Sequence, residues 1–166
     1  MSRLLQSLAL ACVAACAPRF DGRVYRARDV AFAIPDVAAE WQRLDHRQAA
    51  LAFRDPAAQA TILVNGRCGL GSDDVPLAAL TQHLFLDFTR RTIESQEMLP
   101  FDGREAMHTR LSADLDGVPM RYDAWVLKKD GCVYDLLFFA PPDTFDRGYA
   151  RFEALVRGFT TTVPRD

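Results

Sequence analysis

Residues 104–140 read REAMHTRLSADLDGVPMRYDAWVLKKDGCVYDLLFFA and contain two Asp-Gly pairs, Asp116-Gly117 and Asp130-Gly131. Each pair separates two runs that have the composition of β-strands. Asp-Gly suits the positive φ angles of a type I′ turn, whose twist matches that of the strands it joins. The stretch therefore predicts a three-stranded antiparallel meander, with strands over residues 104–115, 118–129 and 132–140.

The third strand of this meander, residues 132–139, is apolar almost throughout, which predicts a central strand covered on both faces. Pro141-Pro142 stops the sheet, and Asp143 or Thr144 caps a final helix that Gly158 closes. Apolar residues recur along this helix at the spacing of a face packed on a core. They are Phe145, Tyr149, Phe152, Leu155, Val156 and Phe159.

Upstream of the meander, the pattern predicts further strands. One strand alternates apolar residues with others and ends at Pro35. Its apolar residues are Val30, Phe32 and Ile34. A hairpin is predicted from residues 49–54 and 59–64, and its second strand is expected to end at Asn65-Gly66. Residues 93–99 predict one more strand.

A helix is predicted between this hairpin and the meander, with Asp73 or Asp74 as its cap. Its apolar residues fall on one face, as expected for a helix packed on a sheet. They are Leu77, Leu80, Leu84, Phe85 and Phe88. The element order predicts an α+β fold, in which helices pack on an antiparallel sheet that contains the meander.

This order resembles that of the Mog1/PsbP-like α/β/α sandwich family, which includes small bacterial envelope lipoproteins. The resemblance covers most of residues 24–160. It is carried by the opening strand with Pro35 and Trp41, by residues 99–106 (LPFDGREA), and by the closing strand with its aromatic helix. It implies a mostly non-enzymatic accessory or binding role, and no binding residue of the family matches a position here.

The first residues of the chain predict a bacterial lipoprotein export signal. A minimal positive segment ends at Arg3, and the apolar run over residues 4–15 is too short to span a bilayer core. Residues 13–16 (VAAC) resemble a lipobox, which predicts cleavage before Cys16 and its modification with a diacylglycerol and an N-acyl chain, with palmitate among the acyl groups. Cys12 is a competing site, but it would leave a very short apolar run.

Ala17 follows Cys16, where an aspartate would mark inner-membrane retention. By resemblance to Gram-negative lipoprotein sorting, this predicts the outer membrane, facing the periplasm. The predicted organisation has four parts. They are a signal peptide over residues 1–15, a lipidated N-terminus and tether over 16–23, a single α+β domain over 24–160 and a C-terminal tail over 161–166.

The chain length and the net charge limit the number of domains and the classes of partner. A chain of 166 residues is one domain in length. Its net charge is −2, and its basic residues form no run or stripe of the kind that nucleic-acid binding requires. We therefore predict that nucleic acid is not a partner.

Cys68 and Cys132 remain once Cys12 and Cys16 are assigned to the signal and the anchor. One is predicted to end a strand and the other to begin one, at sheet ends where two strands present them together. In an oxidising envelope such a pair favours a disulfide. Two separate buried thiols are the alternative.

No residue pattern predicts chemistry, cofactor or metal. Residues 66–71 (GRCGLG) match neither dinucleotide nor phosphate-loop spacing. The histidines lack ligand spacing and are predicted to lie at the surface, and the aspartates near the hairpins are predicted to be solvated turn carboxylates. The serines have no nucleophile motif. The residues considered are His46, His83, His108; Asp114, Asp116, Asp123, Asp135; Ser72, Ser95 and Ser112.

The sequence therefore predicts a non-enzymatic, membrane-anchored envelope lipoprotein that binds a partner protein or assists assembly. Two alternatives stay open. One is a carrier that holds a lipid or another hydrophobic ligand between sheet and helix. The other is a hydrolase whose site has no sequence signature. The sequence selects neither the partner nor the oligomeric state.

Overall fold

The computed structural model describes residues 17–69 and 75–162. The predictions for the signal peptide, for Cys16 and for a helix cap at Asp73 or Asp74 lie outside these residues. The elements, in chain order, are β1 (Arg19–Phe20), β2 (Val24–Arg26), β3 (Ala31–Ala33), β4 (Gln42–Leu44), β5 (Leu51–Asp55), β6 (Ala60–Cys68), α1 (Leu77–His83), β7 (Thr89–Phe101), β8 (Arg104–Leu115), β9 (Val118–Lys129), β10 (Cys132–Ala140), α2 (Phe145–Gly158) and β11 (Thr160–Thr162).

The described strands form two antiparallel sheets. A seven-stranded sheet has the order β4-β5-β6-β10-β9-β8-β7, and a four-stranded sheet has the order β1-β2-β3-β11. Side chains alternate between the faces of a strand. On β10, Leu136 and Phe138 pack in the cluster with α2, whereas Leu137 packs on the opposite face with Phe85, just after α1. This confirms the predicted α+β class, with helices on an antiparallel sheet.

The meander has the predicted strands, residue for residue. Both Asp-Gly pairs have positive φ at each residue, 51° and 81° at Asp116 and Gly117 and 53° and 73° at Asp130 and Gly131. Asp102-Gly103 has the same geometry, at 47° and 75°, and joins β7 to β8. The meander therefore has four strands, because this third Asp-Gly pair is also a hairpin turn.

Strand β6 runs past the predicted end at Asn65-Gly66 and continues to Cys68. A Cβ at Gly66 would lie 2.6 Å from Val30 Cγ2, so this glycine permits a close approach to the strand. The Asn65 side chain is also occupied, since its Oδ1 accepts from the Ala50 N–H at 2.8 Å. Asn65-Gly66 is therefore part of a packed strand and does not form a turn, so the predicted strand end is wrong.

Helix α1 is shorter than its apolar face predicted, and it ends at His83. The next residues form turns in which the N–H of Phe85 bonds to the carbonyl of Gln82, at 3.1 Å. These turns direct the rings of Phe85 and Phe88 onto Tyr122, at centroid distances of 5.6 and 5.0 Å. Packing on the sheet, rather than helical periodicity, sets their positions.

The chain ends of the described region form the second sheet, which the sequence did not predict. Thr160–Thr162 pairs with Ala31–Ala33, and Arg19–Phe20 pairs within the segment predicted as a tether. Of this sheet, the alternation of Val30, Phe32 and Ile34 predicted β3 alone, because the other strands, of two or three residues, carry too little alternation to be recognised from sequence. They form because the core holds them side by side.

Cys68 and Cys132 are directly opposite in the β6–β10 register and form a disulfide. This confirms the pairing that the sequence favoured over two separate thiols. The bond ties the hairpin of β5 and β6 to the meander.

Candidate functional site

A groove opens beside the C-terminal half of α2, where the helix passes the ends of β7 and β9. Its volume is about 590 Å³. Aromatic side chains line it, and charged side chains stand at its rim. The aromatic residues are Phe101, Trp125, Tyr149, Phe152 and Phe159, and the charged residues are Asp102, Glu153 and Arg157.

A buried polar network lies next to this groove, centred on the fully buried side chain of Asp123 (0% exposed). The carboxylate accepts from Arg110 Nε at 2.8 Å and from the Tyr149 hydroxyl at 3.0 Å. It also lies 3.0 Å from His108 Nε2, through both oxygens, so we assign the imidazole proton to Nε2. A buried carboxylate requires such partners to offset its lost hydration.

Tyr149 connects this network to α2 and to the groove. Burial and the Asp123 charge raise the pKa of Tyr149 to about 12, so its hydroxyl keeps the proton that it donates. Arg110 donates to the same hydroxyl and lies over the ring, 4.9 Å from the centroid. Burial disfavours the Arg110 charge, but hydrogen bonds to Asp123 and Tyr149 outweigh it and raise the pKa of Arg110.

His108 connects the network to the groove floor. Its ring stacks on Trp125, with centroids 4.4 Å apart. Its second nitrogen, Nδ1, is buried and has no hydrogen-bond partner in the described part of the chain. Glu97 Oε1 lies 3.8 Å from Nδ1, on a side chain that is 56% exposed. Asp123 thus fixes the ring that supports Trp125.

Asp102 closes one end of the groove at the β7–β8 turn. Its carboxylate accepts from Lys129 Nζ at 2.9 Å and from the backbone and hydroxyl of Thr161. Burial alone would raise the pKa of Asp102, but these hydrogen bonds outweigh it and lower the pKa. The contacts join the turn to β11, so both sheets form the groove wall.

The predictions for the histidines and aspartates are partly wrong. His46 and His83 are exposed, as predicted, but His108 is buried. Three of the four aspartates predicted as solvated turn carboxylates are buried within strands instead. They are Asp114, Asp123 and Asp135; Asp116 alone is an exposed turn residue.

The other two buried aspartates, Asp114 and Asp135, are held by arginines that lie 24 and 68 residues away in sequence. Asp114 bonds to Arg90, and Asp135 accepts from Arg67 Nη2 at 2.8 Å. Burial raises the pKa of Asp135, against the opposing effect of Arg67. From sequence alone, a buried carboxylate in a strand cannot be distinguished from a surface one until its partner is known. The sequence therefore predicted the wrong environment for the three buried aspartates.

One signal could have located the network. A two-residue turn fixes the pairing of the strands that it joins. Counting outward from Asp116-Gly117 places Arg110 opposite Asp123 and His108 opposite Trp125, which is the register of the structure. This register places an arginine opposite an aspartate and, two residues along, a histidine opposite a tryptophan. It therefore predicts an ion pair next to a stack of two rings.

The remaining candidate residues do not converge on this site. Ser112 Oγ donates to Glu94 Oε1 at 2.6 Å, and no serine bonds to His108 Nδ1. Gly66 and Arg67 lie in β6 rather than in a phosphate-binding loop. Across residues 17–69 and 75–162, no three His, Cys, Asp or Glu side chains group as metal ligands.

Comparison with known proteins gives a fold but no family. No protein-family model matches the chain, and no curated protein matches it either. Solved structures do match. The described antiparallel sheets with helices packed on them are similar in architecture to those of a PsbP structure, which confirms the fold that the resemblance implied.

Three of these structures show the range of TM-score, sequence identity and coverage. Cyanobacterial PsbP from a Synechocystis species has a TM-score of 0.60 at 11% identity, over 95% of this chain and 99% of its own. LpqN of Mycobacterium tuberculosis, involved in cell envelope biogenesis, has a TM-score of 0.58 at 16% identity, over 88% and 90%. A Bacteroides thetaiotaomicron protein has a TM-score of 0.55 at 11% identity, over 79% of this chain and 45% of its own. This chain therefore spans less than half the length of that protein.

Proposed function

We propose that this protein is a non-catalytic, lipid-anchored envelope module that binds a partner protein through the groove beside α2. The observation that carries the proposal is the groove itself. It is open to solvent, has rings on its floor and charges at its rim, and rests on a rigid buried network. Aromatic anchors inside a polar rim are typical of binding surfaces.

The packing beneath α2 favours surface binding over a carrier. A carrier needs space between sheet and helix, but rings fill that region. Phe138 is fully buried and stacks on Phe152 of α2 at a centroid distance of 5.4 Å. Phe145 closes the same layer at 4.9 Å from Phe138.

The Asp123–His108 pair resembles part of a hydrolytic site, but the surroundings of the histidine favour a structural role. A catalytic histidine must reach a nucleophile or water, whereas Nδ1 is buried and lies 3.8 Å from the Glu97 carboxylate. The pair instead fixes the ring that supports Trp125. This arrangement supports a positioning role in a binding surface. LpqN, of similar fold, is involved in envelope biogenesis, which agrees with that setting.

Photo-crosslinking tests the groove. A photoreactive amino acid at position 153, on the groove rim, should form adducts with one protein when the acylated chain is irradiated in intact envelopes. Position 147 is the matched control, because Arg147 lies on the same helix, exposed and outside the groove lining. Equal adducts at both positions, or none at 153, would contradict partner binding through the groove.

Lipid labelling tests the anchor. Labelled palmitate should be incorporated into the wild type, and Cys16→Ser should lose both the label and membrane attachment, because only an acylated N-terminal cysteine provides the anchor. Cys12→Ser is the control and should keep both. No label in the wild type would reduce the proposal to simple secretion, and unchanged membrane attachment of Cys16→Ser would contradict anchoring through this cysteine. No helix in the described part of the chain is long and apolar enough to cross a membrane.

A further inference from the structure

The first strands of the domain carry a concentration of positive charge. Residues 17–28 contain four arginines and one acidic residue, in a chain whose net charge is −2. We call Arg19, Arg23, Arg26 and Arg28 the basic hairpin; all four are exposed. Arg43 of β4 lies beside it, with its guanidinium carbon 5.1 Å from the centroid of the Phe20 ring.

The pairing within the basic hairpin leaves this charge poorly balanced. Arg19 and Arg26 are directly opposite on β1 and β2, an arrangement that is destabilising for like charges. Asp21 pairs with Arg26 at 3.0 Å, and Asp29 pairs with Arg28 at 3.9 Å. Arg19 and Arg23 form no ion pair with any carboxylate of the described residues. The Arg19–Arg26 pair therefore costs folding stability, and an anionic surface outside the protein would offset that repulsion.

The covalent chain places this charge next to the proposed anchor. Only two residues, Ala17 and Pro18, lie between Cys16 and Arg19. Even a fully extended chain covers about 3.5 Å per residue, so the strand begins within about 10 Å of the acylated residue. Phe20 packs against Phe53, at a centroid distance of 6.3 Å, so β1 is fixed to the core.

We infer that the basic hairpin is the surface by which this protein lies on an anionic phospholipid bilayer. The inference rests on the proposed anchoring at Cys16, which brings the arginines to roughly a Debye length from the headgroups. Guanidinium groups match phosphate oxygens in a bidentate geometry. The acyl chains hold the protein to the membrane, and the hairpin fixes which side of the domain faces it.

Vesicle co-sedimentation of the mature chain, residues 16–166 with Cys16→Ser, isolates this contribution from the acyl chains. The chain should partition onto phosphatidylglycerol-rich vesicles at low salt and much less onto phosphatidylcholine vesicles. Arg19→Gln/Arg23→Gln should weaken this partition about 30-fold, from the usual effect of two arginines at an anionic surface. Arg104→Gln/Arg147→Gln is the matched control, because it removes the same charge from exposed residues elsewhere.

Equal partition onto both vesicle types would overturn the inference, and so would an equal loss in both double variants, which would show a net-charge effect. The palmitate experiment separates this result from the anchor. A chain that binds anionic vesicles but takes up no palmitate overturns the anchoring alone. A chain that is acylated but shows no headgroup preference overturns the basic hairpin alone.

Discussion

Replacing Asp123 with alanine is expected to lower the free energy of unfolding by about 3–5 kcal/mol, the usual cost of removing one partner of a buried charge pair. The Asp123 side chain is fully buried and is the common acceptor for His108, Arg110 and Tyr149. Its loss leaves three donors facing a cavity. Chemical denaturation followed by circular dichroism, with the disulfide intact, measures the change.

Asp45→Ala is the control for this substitution, because Asp45 is exposed and bonds to no other side chain in the described ranges. It should change the free energy of unfolding by less than about 0.5 kcal/mol. If Asp123→Ala does not accumulate, Asp123→Asn retains the shape and one acceptor oxygen, and we expect it to cost about 1–3 kcal/mol. A loss below about 1 kcal/mol for the alanine variant would contradict a structural role of the network.

Removing the disulfide is expected to cost about 4 kcal/mol in the chain-entropy model. Cys68 and Cys132 are 64 residues apart, so the bond greatly restricts the unfolded chain. We therefore expect Cys68→Ala/Cys132→Ala, or reduction of the wild type, to shift the midpoint of unfolding to a much lower denaturant concentration. The measurement is denaturation with and without a reductant.

The double variant provides its own control, because a reductant should destabilise the wild type and leave the variant unchanged. Thiol labelling of the unfolded, unreduced mature protein gives an independent readout. Two reactive thiols at Cys68 and Cys132 would show that the bond does not form in the envelope. A difference of less than about 1 kcal/mol between wild type and variant would contradict its stabilising role.

Much of the seven-stranded sheet was predictable because its signals are local. Asp116-Gly117 and Asp130-Gly131 specify tight turns through backbone geometry alone, and an apolar run such as β10 is buried wherever it folds. Asp102-Gly103 carries the same signal, and applying it there would have joined the strand predicted over residues 93–99 to the meander. Cys132 was placed correctly for the same reason, since it follows the Asp130-Gly131 turn, whereas β6 reaches Cys68 only by continuing past the strand end predicted at Asn65-Gly66.

The candidate site was less predictable because its residues depend on partners far away in sequence. Asp123 and Arg110 were opposite each other in the predicted register, but their burial depends on α2, whose Tyr149 lies 26 residues beyond Asp123. The groove also needs Asp102, which Thr161 holds across 59 residues. The amino-acid composition does not indicate which residues far apart in sequence will be in contact in the folded chain.

The three strands β8, β9 and β10 were determined by the sequence itself. Their turns, strand limits and register follow from residues that are neighbours in the chain, so local backbone preferences specify them. Only the tertiary structure decided the rest. It buried His108 and Asp123, ended α1 early and paired β11 with β3, because the free energy of each depends on desolvation and packing between distant segments.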